Sequence, residues 1–362
     1  MLSNFLLSPD YELPIPLNSP LFETPGGGRL LVCSTHDAYR LRAFYGCDTL
    51  EAVQMRISLQ EGKRLDIWHS ELEAAHMSAH IFGCDDFESF KEICESLMLE
   101  RIGILQVSTQ AGYCRMLLTG SADAKTMTMR LRPLSERLGV DIAITAFKPS
   151  PSLAEPGLLL MDMDSTLIQC ECIDEIADFM GIKPQIAAIT QLSMEGKLDF
   201  VASFTERVKL LKGLDAQVLQ RVLDERIQLT DGAESLIKGL QAHGWKTGLV
   251  SGGFTFYTSH FEKMLGLDFS MGNELEIVDG KLTGGFHGSI VDANSKRTAL
   301  LSKASEWNIP MAQTIAIGDG ANDLPMIEAA GMGIAFHAKP RVRELAPYAL
   351  SHGGLDRALD LL

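Results

Sequence analysis

No stretch of this chain is long and apolar enough to cross a bilayer as a helix, which takes about 20 residues. Its first residues, Met1-Leu2-Ser3-Asn4-Phe5-Leu6-Leu7, lack the basic flank of a secretory signal and soon meet Asp10, Glu12 and several prolines. Basic residues are in deficit: 32 Lys and Arg stand against 47 Asp and Glu, a net charge of -15. That balance argues against partners such as nucleic acid or an anionic membrane surface. The seven cysteines show neither metal-knuckle nor disulfide-framework spacing, and an odd count in a long chain fits a reduced, cytoplasmic protein. Cys170 and Cys172, the closest pair, read as packing residues rather than a redox couple. What remains is ordinary globular composition, 46% hydrophobic and 22% charged. The 362 residues suffice for about two domains. An acidic enzyme can still take a phosphorylated anion if a metal and a few basic groups reverse the field locally.

The chain is organised around Leu158-Leu159-Leu160-Met161-Asp162-Met163-Asp164-Ser165-Thr166. An apolar run after Pro156-Gly157 predicts a buried strand. It ends on two carboxylates one residue apart, which a strand projects from the same face. Two like charges at the mouth of an apolar strand resist desolvation, and a divalent cation is the simplest reason to keep them there. The plainer alternative is that Asp164 or Ser165 caps the following helix.

Residues 1 to about 30 read as an irregular arm and turn rich in Pro and Gly, with a short strand over Arg29 to Cys33. Helix-like stretches follow, such as Glu71 to Met77 and Phe90 to Leu97. A strand over Cys114 to Leu118, a helix over Ala122 to Leu138 closed by Gly139, and a strand over Val140 to Phe147 form a β-α-β unit. Pro133 is expected to kink that helix. The composition of Lys148 to Gly157 marks a linker. The expected domains are therefore an N-terminal α+β domain over 1–152 and a second domain over 153–362. A helix containing Glu171, Asp174, Glu175 and Asp178 is expected after the opening strand, and helical segments from about 175 to 230, too long for a plain connection, predict an inserted cap. Alternation then resumes. A strand over Trp245 to Val250 ends at Ser251-Gly252-Gly253, Asp279-Gly280 marks a hairpin, and a strand over Thr314 to Ile317 runs into Gly318-Asp319-Gly320-Ala321-Asn322-Asp323. The expected fold class is α/β, a parallel sheet with helices on both faces. Ligands in such sheets sit beyond the carboxyl ends of the strands, where these loops fall.

Asp319 offers a third carboxylate, with Asn322 and Asp323 beside it. A few carboxylate oxygens with room for water suit Mg²⁺, and no His/Cys cluster favours zinc. Ser251-Gly252-Gly253 precedes a helix and could hold phosphate oxygens, although a plain turn is the commoner explanation. Lys296 is singled out because a phosphate site beside aspartates needs a cation; taken alone it reads as solvated.

In this order the signals resemble the haloacid dehalogenase superfamily of phosphohydrolases, over about residues 157–350. Within it the resemblance narrows to the phosphoserine phosphatase family. It is carried by Met161 to Glu175, by Glu195-Gly196-Lys197-Leu198-Asp199-Phe200 with Phe204 to Val208, by Val250 to Phe254, and by Ile317 to Met326. These motifs show no departure from the pattern, while the first 150 residues lie outside it. The fold implied is a Rossmannoid sheet with a helical cap. The resemblance further implies Asp162 as nucleophile and Asp164 as acid and then base. It implies Mg²⁺ on Asp162, Asp319 and the main-chain carbonyl of Asp164, supported by Asp323. Ser251, Gly252, Lys296 and Asn322 would surround the phosphoryl group. Glu171 would take the ammonium of phosphoserine and Arg207 its carboxylate. Phe200, Phe204, Arg207 and Leu211 share one helical face, and an Arg on such a stripe needs an anionic partner. A snorkelling Arg is the plainer alternative.

Residues 1–152 resemble ACT domains, small amino-acid-binding regulatory modules. They could bind serine, mediate a homodimer or merely pack. The rival readings are a related phosphatase or phosphotransferase acting on another small phosphate ester, and a non-catalytic amino-acid sensor.

Overall fold

The computed structural model describes residues 2–7, 19, 21–33, 37, 40–43, 53, 65–70, 75–147, 150–194 and 198–362. The chain divides into two compact units that part between Pro149 and Ser150, with a few C-terminal residues counted with the first. No helix among the described residues is long and apolar enough to cross a membrane.

The N-terminal unit holds two antiparallel sheets. One has the order β2-β3-β1-β4, from Leu2–Leu7 (β1), Leu21–Glu23 (β2), Arg29–Cys33 (β3) and Leu65–Ser70 (β4). The expected irregular arm is corrected at Leu2–Leu7 and Leu21–Glu23, while residues 8–18 and 20 lie outside the described residues. Its prolines all lie after the first strand, and Leu6 and Leu7 are buried. The Asn4 side chain donates to the Ile104 carbonyl at 2.6 Å and accepts from its N–H at 3.3 Å. Ile104 sits where the strand Gly103–Gln110 (β6) slips register against Tyr113–Thr119 (β7), so a buried amide serves backbone groups beside a bulge.

The second sheet has the order β6-β7-β5-β8, with Met77–Phe82 (β5) and Asp141–Ala146 (β8). Helix α1, Phe87–Leu99, follows β5, and α2, Ala124–Leu138, follows β7. This is a split β-α-β arrangement. Each helix starts on an aspartate cap: Asp86 accepts from the N–H of Ser89 and Asp123 from that of Thr126. Gly139 closes α2 in the left-handed conformation, φ 66°. The helix expected over Glu71 to Met77 falls partly outside the described residues. Within them Ala75 and His76 are irregular and Met77 opens a strand. All six residues of β5 are buried, as befits a central strand covered on both faces.

The second unit is built on a seven-stranded sheet in the order β12-β11-β10-β9-β13-β14-β15. Leu158–Met161 (β9) lies at its centre, wholly buried, parallel to Lys246–Phe254 (β10) and Thr314–Gly318 (β13). Phe269–Val278 (β11), Met332–Phe336 (β14) and Tyr348–Leu350 (β15) extend the parallel part; Lys281–His287 (β12) is antiparallel. Asp279 and Gly280 turn the β11–β12 hairpin with φ of 49° and 75°, the two positive values that a tight primed turn requires. After β9, and before the helix Ala233–Ala242 that leads into β10, come four helices: Cys172–Phe179 (α3), Lys183–Met194 (α4), Phe200–Lys209 (α5) and Gln217–Glu225 (α6). They fall where the sequence predicts an inserted cap; Glu195, Gly196 and Lys197 lie outside the described residues. Ala233–Ala242 (α7), Thr255–Leu265 (α8), Ala293–Glu306 (α9), Leu324–Ala329 (α10) and Pro340–Leu345 (α11) complete the unit.

Two boundaries differ from expectation. Strand β10 runs on through Ser251-Gly252-Gly253 to Phe254, because its pairing with β11 resumes there after a register break. Glu171 stands just before α3 rather than inside it. The sheet order reverses about β9, since β10 and β13 flank it on opposite sides. A crevice therefore opens at the carboxyl ends of these three strands.

Candidate active site

Asp162 is the first residue beyond β9. Its N–H bonds the Ile317 carbonyl on β13 at 3.0 Å, and its Oδ1 accepts from the Met163 N–H at 2.7 Å. The backbone then coils tightly, and Ser165 adopts φ 56°, uncommon without glycine. This turn swings Asp164 away from strand geometry. Its Oδ1 accepts from the N–H of Cys172, the first residue of α3, at 2.9 Å, and its Oδ2 lies 3.4 Å from the Ser251 hydroxyl. The plainer expectation for Asp164, a helix cap, thus describes part of its role. Gly253 lies close by, and a Cβ there would stand 2.5 Å from Asp164 Oδ2. The Ser165 hydroxyl donates to Glu171 at 2.8 Å.

Lys296 lies in the first turn of α9 and is 0% exposed. Its Nζ is 2.8 Å from Asp162 Oδ2 and 2.6 Å from Asp323 Oδ1. The other Asp323 oxygen accepts from the Gly320 N–H at 2.9 Å, and a Cβ on Gly318 would overlap the Asp323 carboxyl. Asp319 accepts from the Thr166 hydroxyl at 3.3 Å. Carboxylate oxygens of Asp162, Asp319 and Asp323 lie within 4.8 Å of one another, a triad that could hold a metal ion. Hard oxygen donors with no nitrogen or sulfur among them suit a hard divalent cation such as Mg²⁺. The Asp164 side chain is not part of this triad and bonds the Cys172 N–H instead.

The electrostatics follow from burial. Asp162 is held well above the usual carboxylate range by burial and by Asp323, against the pull of Lys296. Asp164 is pushed up to about 7 by burial and by the Glu171 carboxylate, against the Cys172 hydrogen bond. Burial and then Asp323 push Asp319 up to about 6. For Lys296 burial acts downward, yet Asp162 and Asp323 together outweigh it and raise the ammonium pKa.

A cavity of about 800 Å³ opens on this cluster. Asp162, Asp164 and Asp319 line its floor with Ser251, Gly252 and Asn322; Glu171, Phe200 and Arg207 line the cap side. Lys296 is buried with Asp162 rather than on the cavity wall. Burial lowers the Arg207 pKa, opposed by Glu171, Asp174 and Asp164. Sequence reasoning passed over several neighbours. Asp174, Ser203, Lys339 and Arg341 line the same cavity. Asn273 donates to the Gly252 carbonyl and accepts from the Val291 N–H, both at 2.8 Å, and so fixes the Ser251–Gly253 segment. A lone polar residue just ahead of the hairpin carries little signal in the sequence, and its 2% exposure appears only in the fold.

Residues 159–328 match the model of the haloacid dehalogenase-like hydrolases. A phosphoserine phosphatase of Haemophilus influenzae is 47% identical over 223 residues, covering 62% of this chain and 70% of that protein. The unliganded crystal structure of a probable phosphoserine phosphatase from Vibrio cholerae aligns with a TM-score of 0.67 at 35% identity. It covers 82% of this chain and 89% of the other. A structure described as a phospho-aspartyl intermediate analogue of phosphoserine phosphatase aligns with a TM-score of 0.54 at 40% identity, covering 57% of this chain and 99% of that one.

Proposed function

Because the chain belongs to the phosphoserine phosphatase family of the haloacid dehalogenase-like hydrolases, we propose that its cavity takes O-phospho-L-serine and releases serine and phosphate, the closing step of serine biosynthesis. One observation carries the reading. Asp162, Asp164 and Asp319 converge on one cavity, with Lys296 fixed against Asp162.

In the first half-reaction a carboxylate oxygen of Asp162 bonds to phosphorus as the bond from phosphorus to the serine oxygen breaks. Asp164, whose raised pKa keeps its proton available near neutrality, gives that proton to the departing oxygen. In the second half-reaction a water oxygen bonds to phosphorus, the Asp162–phosphorus bond breaks, and Asp164 receives the water's proton. Lys296 favours the ionised form of Asp162, against the burial and the Asp323 charge that raise its pKa. Ser251, the Gly252 backbone and Asn322 orient the phosphoryl oxygens. Asp162, Asp319 and the Asp164 carbonyl would hold Mg²⁺, with Asp323 bracing them. When bound, that ion supplies charge neutralisation and alignment for in-line transfer. Glu171 meets the substrate ammonium and Arg207 its carboxylate, while Phe200 packs on the aliphatic part.

The test joins a substrate panel to a trapping experiment. Mg²⁺-dependent phosphate release should favour phosphoserine over sugar and nucleotide phosphates, and acid quench should trap a phosphoryl-enzyme in wild type but not in Asp162→Asn. Turnover of Asp162→Asn within tenfold of wild type would refute the role of Asp162.

For the N-terminal unit we propose a regulatory, ACT-like role with serine as ligand, within a cytoplasmic homodimer. The strand sequence β5-α1-β6-β7-α2-β8 supports it, since such a split β-α-β sheet is a common small ligand-binding frame. Serine inhibition of the full-length protein that more phosphoserine cannot overcome is expected. Purely competitive inhibition would count against it.

A further inference from the structure

Ser203 is 1% exposed, lies on α5 and lines the cavity. Its hydroxyl is fully enclosed and has no hydrogen-bond partner among the described residues. This is unusual for a serine within a helix. Such a hydroxyl commonly folds back onto the carbonyl four residues earlier, as Thr205 does to Val201 at 2.7 Å on the same helix and Thr190 to Ile186 at 3.1 Å on the neighbouring one. A buried hydroxyl without a partner is unfavourable, so its persistence at a cavity wall calls for a partner that comes and goes.

The surroundings say what that partner is. Arg207 lies one turn on, its Nε 3.4 Å from the Ser203 carbonyl, so the guanidinium folds back towards the Ser203 turn. Glu171 and Asp174 line the same end of the cavity and already face Arg207. The hydroxyl is the neutral donor beside this cation. A carboxylate has about four acceptor sites, and a forked guanidinium fills two of them.

We propose that Ser203 is a specificity-determining residue whose hydroxyl donates to the carboxylate of the bound amino-acid phosphate, completing with Arg207 a two-residue clamp. The inference rests on the substrate reading given above. It separates amino-acid phosphates from phosphate esters that merely fit the volume. A substrate without a carboxylate leaves the hydroxyl without a partner in the complex as in the free enzyme. It therefore gains nothing from it.

Steady-state kinetics of wild type and Ser203→Ala, each with phosphoserine and with phosphoethanolamine, tests this. Phosphoethanolamine keeps the phosphate and ammonium but lacks the carboxylate. In Ser203→Ala, KM for phosphoserine should rise about tenfold, the equivalent of ~1.4 kcal/mol, with kcat within about twofold. kcat/KM for phosphoethanolamine should not move. Thermal unfolding without substrate should show Ser203→Ala as stable as wild type or more so, because a hydroxyl without a partner is lost and alanine favours the helix. An equal effect on both substrates, no effect on either, or a lowered Tm without substrate would overturn the proposal. Wild type that fails to prefer phosphoserine removes the substrate reading and this inference together. Wild type that prefers it, with a Ser203→Ala variant that is no less selective, removes this inference alone.

Discussion

Lys296→Met tests the charge balance on which the site depends. Methionine fills much the same space without the ammonium, and so strands two carboxylates that now face Lys296 Nζ at 2.8 and 2.6 Å. Lys296 and Asp323 are 0% exposed and Asp162 5%, so water cannot replace the lost partner. Removing one member of a buried pair costs about 3–5 kcal/mol. In a unit of this size each kcal/mol lowers Tm by about 2–4 °C, which gives a fall of about 6–20 °C in metal-free protein. Asp323→Asn should cost less, because it leaves Lys296 paired with Asp162 and removes a like charge.

The deficit also has a pH signature. In wild type the ammonium pKa is raised, so its contribution is complete at neutral pH and is lost only as pH climbs through that raised value. In the variant Asp162 rises further above its unfolded pKa. The folded state then binds more protons than the unfolded one between the two values, and stability falls as pH rises through that window. Lys296→Met should therefore regain part of its loss at about pH 5 relative to about pH 8, and also on adding Mg²⁺. Calorimetric melts at both pH values, in EDTA and in excess Mg²⁺, read all three effects. A Tm within about 2 °C of wild type at the higher pH without metal, or a deficit indifferent to both pH and Mg²⁺, would refute the reasoning.

Asp164, pushed up to about 7, increasingly penalises the metal-free fold as pH rises from its unfolded value to that point. Asp164→Asn should flatten this slope and raise the metal-free Tm by about 5 °C above pH 7, allowing for its partial exposure. Arg207→Ala should raise KM for phosphoserine by about 30-fold or more, as loss of a buried charge pair does. KM for phosphoethanolamine should stay within about threefold; equal shifts would take Arg207 out of carboxylate recognition. Lys339 and Arg341, exposed at the cavity rim of a chain with net charge -15, should speed the approach of an anionic substrate. Lys339→Gln with Arg341→Gln should lower kcat/KM about threefold to tenfold at low ionic strength and leave it unchanged in high salt. A loss that persists in high salt would point to direct contact instead.

The parts of the fold that the sequence made legible are those where pattern and punctuation agree. The strand Leu158–Met161 follows Pro156-Gly157 and is apolar throughout. The hairpin at Asp279-Gly280 needs two positive φ values that few other residue pairs accept. Strand β1 escaped because six residues beside a proline-rich stretch carry little periodicity, and its partners β3 and β4 come far later in the chain. Strand β5 resembled the neighbouring helix-like sequence because a strand buried on both faces does not alternate. In the site, Asp162 and Asp319 were legible as carboxylates at the ends of apolar strands. Ser203, Lys339 and Arg341 were not, because each depends on elements distant in sequence folding towards one cavity.

Counting charge at the phosphoryl end links the pKa values to the need for a metal. Among the described residues, Asp162, Asp164, Asp319 and Asp323 have one buried ammonium beside them, that of Lys296, while Lys339 acts on Asp319 from the exposed rim. A phosphate dianion would not enter such a site if all four carboxylates were ionised and nothing else were bound, because burial strengthens every repulsion. Two changes relieve it. A divalent cation in the triad offsets two charges, and a proton on Asp164 offsets a third. That proton is the one the leaving serine oxygen requires, and burial beside Glu171 is what retains it near neutral pH. The desolvation that makes this cluster costly to fold therefore also poises its acid and sets its demand for a cation. Relieving the cost, as Asp164→Asn does, must also remove the proton donor.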